Sequence, residues 1–178
     1  PEIIEKLEGG PDRVLADALA AMDAAGAIEG QSTEPMRAMR LAKEAAHAAI
    51  AAADLAGIWS LDDVVRRLTD LADASVKSAL RVAIRNAWAS GSLGETRTSD
   101  EMPGLFTLAM GKMGAGELNY SSDIDLIVLF DLDVLPVKGA RVKEGMLRLT
   151  RELVRILEER TADGYVFRTD LRLRPDPA

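Results

Sequence analysis

Two aspartates one residue apart, Asp123 and Asp125, stand at the head of an apolar run that reaches Phe130, and a third, Asp170, lies near the end of the chain between arginines. On a strand, side chains alternate with period two, so Asp123 and Asp125 share a face while Ile124 points into the core. Their Cα atoms then lie about 6–7 Å apart, from a rise of roughly 3.3 Å per residue. Neighbouring carboxylates disfavour each other's ionisation. A hard divalent cation with oxygen ligands removes that penalty. The pattern points to metal-assisted phosphoryl or nucleotidyl transfer.

The last apolar stretch, expected as a strand from Tyr165 to Leu173, divides by alternation into two faces. Tyr165, Phe167, Thr169, Leu171 and Leu173 fall on one, and Val166, Arg168, Asp170, Arg172 and Arg174 on the other. Beside the Asp123 strand, it brings Asp170 to the same cations and offers Arg172 and Arg174 to phosphate oxygens. An ordinary surface ion-pair face is the competing reading. Between the run Leu105 to Met110 and Asp123 lies a glycine-containing turn. Its backbone N–H groups at Gly111, the Ser121 and Ser122 hydroxyls and the Lys112 ammonium are candidate phosphate contacts. Glu117 and Asn119 read equally as supports of this site or as capping and turn residues. Tyr120 is expected in the core.

Other phosphate and metal motifs are excluded by their letters. Gly111, Gly114 and Gly116 do not make GxGxxG, and there is no P-loop. Ile127 occupies a ligand position that a calcium loop needs. Asp131 and Asp133 form a second pair, but a continuous strand puts Asp131 about 20 Å from Asp125, so they read as the strand's polar exit.

The elements that position these residues fall into an α+β order. Pro11 and Asp12 start a helix through Leu15, Leu19 and Met22 that ends near Gly26 to Gly30. A second helix runs from Thr33 or Pro35 to about Ala56, with Gly57 as its stop. Ser60 and Asp63 resemble a capping box opening a third, with one break expected at Asp73 to Ser75 and Trp88 closing its apolar stripe. A loop through Gly91, Gly94 and Asp100 to Pro103-Gly104 separates a helical region, 1–100, from a catalytic core, 101–178. In the latter, residues 141–160 form an amphipathic helix with Val142, Met146, Leu149, Leu153 and Ile156 on its apolar side.

Composition narrows the class. With 178 residues, 48% of them hydrophobic, the chain can bury one core. A net charge of −7 argues against a nucleic-acid-coating protein. Without cysteine there is neither a disulfide nor a thiolate zinc site, which fits a cytoplasmic chain. The single histidine, His47, is read as structural, and a Ser-His-Asp triad is thereby disfavoured. No apolar run is long enough for a bilayer and no signal-peptide pattern opens the chain, so no membrane partner is expected. The start without Met and the stop just after a motif read as a piece of something longer.

The arrangement Gly111-Lys112, Asp123-x-Asp125 and Asp170 resembles the nucleotidyltransferase superfamily of the DNA polymerase β type, although that superfamily usually has Gly-Ser or Gly-Gly at the first pair. More narrowly, GKMGAGELNYSSDIDL followed by YVFRTDLRLRP is similar to the glutamine synthetase adenylyltransferase family. The resemblance covers about Leu105 to Pro175. It implies a mixed β-sheet core with flanking helices, and magnesium (or manganese) held in a two-metal site by Asp123, Asp125 and Asp170. It also implies glutamine synthetase, the signalling protein PII, an adenine nucleotide and inorganic phosphate as partners. Members carry two such domains, one removing AMP from a glutamine synthetase tyrosine by phosphorolysis and one adding it from ATP. The wording Glu117 to Asp123, with Val166-Phe167-Arg168 before Asp170, looks like the removing copy. The adding copy and a non-catalytic regulatory module are the alternatives.

Overall fold

The computed structural model describes residues 10–30, 32–93, 96–137, 139 and 142–171. Among them are helices α1 (Pro11–Ala27), α2 (Thr33–Leu55) and α3 (Leu61–Ala89), then β1 (Leu105–Met110), α4 (Gly111–Ala115), β2 (Ile124–Phe130), α5 (Val142–Glu158) and β3 (Thr169–Leu171). The fold is α+β, with a helical front end and a small mixed sheet.

Small residues let the front helices approach closely. α1 packs on α2 and α3, and a Cβ on Gly26 would stand 2.8 Å from Ser78 Cα. Ser78 Oγ in turn donates to the Met22 carbonyl at 2.8 Å, which spares a buried hydroxyl the cost of going unpaired. Arg40 is 1% exposed. Its Nη1 donates to the Met36 carbonyl and its Nε to that of Gly164. A third bond runs from Nη2 to the Glu159 carbonyl, tying α2 to the turn beyond α5.

α3 opens with the expected box: Asp63 N–H donates to Ser60 Oγ, and Ser60 N–H to the Asp63 carboxylate. The break expected at Asp73 to Ser75 is absent, and α3 runs unbroken for 29 residues. Ser75 is buried there, but its hydroxyl donates to the Leu71 carbonyl one turn back, so the polar side chain is satisfied inside the helix. Trp88 is buried at the end of the stripe.

The sheet has the order β1-β2-β3, with β1 and β2 antiparallel and β2 and β3 parallel. Ile124 and Leu126 enter the core, and one cluster of buried residues extends from Leu15 in α1 to Phe167. α5 buries Val142, Met146, Leu149, Leu153 and Ile156 and packs on α3. The expected strand from Tyr165 to Leu173 is shorter: within the described residues it spans Thr169–Leu171. Before it, Val166 and Phe167 are both buried, so the alternation lapses. The reason is the pairing: both of their N–H groups donate to the Leu157 carbonyl at the end of α5 rather than to β2.

Candidate active site

β3 lies where it does because α5 ends beside it. The Glu158 carboxylate accepts from the Thr169 N–H at 2.6 Å and from its hydroxyl at 2.7 Å. The Ile124 N–H donates to the Arg168 carbonyl at 2.9 Å, and the parallel register then sets Asp125 opposite Asp170. Side chains paired across a ladder project from the same side of a sheet. Asp123 immediately precedes β2, on the same side as Asp125.

The stretch between β1 and β2 is not a simple turn, as expected, but the five-residue helix α4 followed by a loop. Gly111 starts α4 with φ +56°, a region other residues enter at a cost. A Cβ there would meet Asp125 Oδ2 at 2.6 Å, so glycine leaves the space the carboxylate uses. The loop is pinned from below by the front helices. The Leu118 N–H donates to Thr69 Oγ1 of α3 at 3.2 Å, and the Tyr120 hydroxyl to Asp54 Oδ2 of α2 at 3.0 Å. Tyr120, expected in the core, is 39% exposed, because its ring reaches across the surface for that carboxylate.

His47 of α2 stands edge-on to both Tyr120 and Phe167, with ring centroids 6.3 Å apart in each case. It thus wedges between the segment leading to Asp123 and the one leading to Asp170. Burial, with the Lys43 charge adding to it, holds His47 down at about 4, so the imidazole is neutral near pH 7.

These elements gather Gly111, Lys112, Asn119, Ser121, Ser122, Asp123, Asp125 and Asp170 around one open cleft of about 570 Å³. Seven of the nine residues singled out from sequence line it; Arg172 and Arg174 lie outside the described residues. Asn119 lines the cleft as well, and Glu117 does not. Asp131 is the strand exit: its Oδ1 accepts from the Asp133 N–H at 2.9 Å.

Sequence reasoning passed over one cation here. Arg168 Nε lies 2.6 Å from Asp123 Oδ1, and its Nη2 donates to the Ser121 carbonyl at 2.9 Å. The signal was present, since alternation had put Arg168 on the Asp170 face. The donor set suits a hard cation, being three carboxylates from two adjoining segments. Among the described residues, however, no three acidic groups stand ready as a ligand cluster. Asp123 is turned onto Arg168.

The family model for glutamate-ammonia ligase adenylyltransferase matches residues 2–178. Bifunctional glutamine synthetase adenylyltransferase/adenylyl-removing enzymes are similar over nearly the whole chain. That of Rhodopseudomonas palustris is 44% identical over 180 residues, covering 99% of this chain and 18% of the relative. That of Bradyrhizobium diazoefficiens is 45% identical over 179 residues, with the same coverage of both chains. That of Caulobacter vibrioides is 46% identical over 177 residues, covering 97% of this chain and 18% of the relative. The chain therefore spans about 18% of the length of the curated relatives it matches. With a match that runs from residue 2 to residue 178, the chain belongs to the glutamate-ammonia ligase adenylyltransferase family.

Proposed function

We propose that this chain carries a metal-dependent site that removes AMP from an adenylylated tyrosine of glutamine synthetase. The observation that supports it most is the meeting of Asp123, Asp125 and Asp170 on one side of the sheet, around a cleft that also holds Lys112 and two serines. Asp123, Asp125 and Asp170 would hold magnesium, for which manganese can substitute. When bound, the metal supplies charge stabilisation for the entering and leaving oxygens of an in-line displacement.

The chain's own groups do the rest. The Lys112 ammonium and the Ser121 and Ser122 hydroxyls face the phosphate oxygens and orient them. Inorganic phosphate attacks the adenylyl phosphorus, a new P–O bond forms, and the bond to the tyrosine oxygen breaks. The products are ADP and a tyrosine that regains its proton. Family resemblance at Glu117 to Asp123 and at Arg168 favours removal over addition. PII, which the family resemblance implies, is a further proposed partner.

The test is to incubate adenylylated glutamine synthetase with phosphate and magnesium. Release of ADP supports removal. Transfer of labelled AMP from ATP onto the unmodified synthetase would instead assign the adding reaction. Neither product, with a folded protein, leaves a regulatory module.

A further inference from the structure

We propose that Arg168 is an exchangeable counter-ion of Asp123: its guanidinium and a divalent cation compete for the same carboxylate, and the guanidinium so displaced turns to the incoming phosphate. The inference rests on the phosphoryl-transfer reading above and adds a positioning residue to that site.

The geometry carries it in three steps. First, Arg168 Nε approaches Asp123 Oδ1 at 2.6 Å, on a carboxylate that the proposed metal site needs. A cation that takes Asp123 Oδ1 displaces that contact. Second, the exchange costs little. The two side chains are 56% and 53% exposed, and ion pairs exposed to this degree are screened and weak. Third, the backbone of residue 168 is held independently of the partners its side chain takes. The Arg168 carbonyl accepts from the Ile124 N–H, so Cα stays beside the start of β2 whichever partner the guanidinium takes. Displaced from Asp123, the planar fork stays within one side-chain length of the cleft, where it suits two phosphate oxygens at once.

A purely structural tie makes the opposite forecast. If the bond from Nη2 to the Ser121 carbonyl serves only to hold the loop against β3, removing Arg168 loosens Asp123 and weakens metal binding under all conditions. Competition instead makes the two affinities move in opposite directions.

The experiment is a titration of the full chain with Mn²⁺ alone, followed by inorganic phosphate at saturating Mn²⁺, for the native protein, Arg168→Gln and Arg168→Lys. Arg168→Gln is expected to bind Mn²⁺ about 2–5-fold more tightly, the worth of an exposed ion pair, and phosphate about tenfold or more weakly. Arg168→Lys keeps the competing charge but not the fork, so its Mn²⁺ affinity stays near native while phosphate binding falls. Weaker or unchanged Mn²⁺ binding in Arg168→Gln overturns the inference, as does Mn²⁺ tightening of equal size in Arg168→Lys. A native protein that is folded yet binds no Mn²⁺ removes the phosphoryl-transfer reading itself, which separates that failure from the failure of the exchange.

Discussion

The two faces of the small sheet are built from the same strands and meet opposite surroundings. On one face Ile124 and Leu126 are 0% and 2% exposed and belong to the common core. On the other, Asp125 shares its side with Ile127 and Leu129 of β2 and, across the ladder, with Met110, Leu108 and Phe106 of β1. Those three β1 side chains are 45–48% exposed. Period-two alternation supplies both faces. Only where other chain segments pack does a face become dry, and the aspartates lie on the one that water and ions can reach.

The contrast can be broken most completely at the open face. Asp123→Asn is expected to abolish magnesium or manganese binding while leaving the thermal transition almost unmoved, read by calorimetry of both. On the packed face, Leu126→Ala is expected to destabilise the chain by about 2–5 kcal/mol in denaturant titrations, from lost burial and the cavity left behind.

His47, beneath the loop, gives a pH signature. With its pKa held down at about 4 against 6.5 in the unfolded chain, the unfolded state binds the proton first. Stability is therefore unaffected above pH 6.5 and falls as pH drops from there towards 4, by at most about 3 kcal/mol. Lys43 on its own helix and Tyr120 and Phe167 against its ring do not supply a compensating acid. His47→Gln is expected to flatten the melting temperature across that window; an unchanged slope would assign the acid sensitivity to other groups.

Gly111→Ala tests the join of site and fold. It is expected to cost about 1–2 kcal/mol for the left-handed backbone. It should also weaken metal binding by about 10–100-fold by pushing on Asp125. The smallest effect is expected from Leu108→Lys on the open face, within about 0.5 kcal/mol of native stability. A larger loss there would mean that this face is closed by something in solution.

Much of this was legible beforehand because it is local. The capping pair Ser60 and Asp63, the helix stop at Gly57 and the apolar stripe of α5 are signals confined to a few residues. The misreadings arose where distant segments intervene. Ser75 looked like a break until its hydroxyl found a carbonyl within the helix. Residues 165–168 looked like strand, but the N–H groups of Val166 and Phe167 were taken by the end of α5. Tyr120 looked like core, but Asp54 lay within reach of its hydroxyl.

By itself, the sequence determined the identities and spacing of the carboxylates, the glycine beside them and the family to which the chain belongs, because these are properties of short runs. Tertiary structure alone decided that Asp170 stands across from Asp125, that Asp123 is paired with Arg168, and that helices α2 and α3 brace the loop between. Strand register and ion pairing join residues some 45 positions apart, and no local pattern specifies which of several possible partners comes within hydrogen-bonding distance.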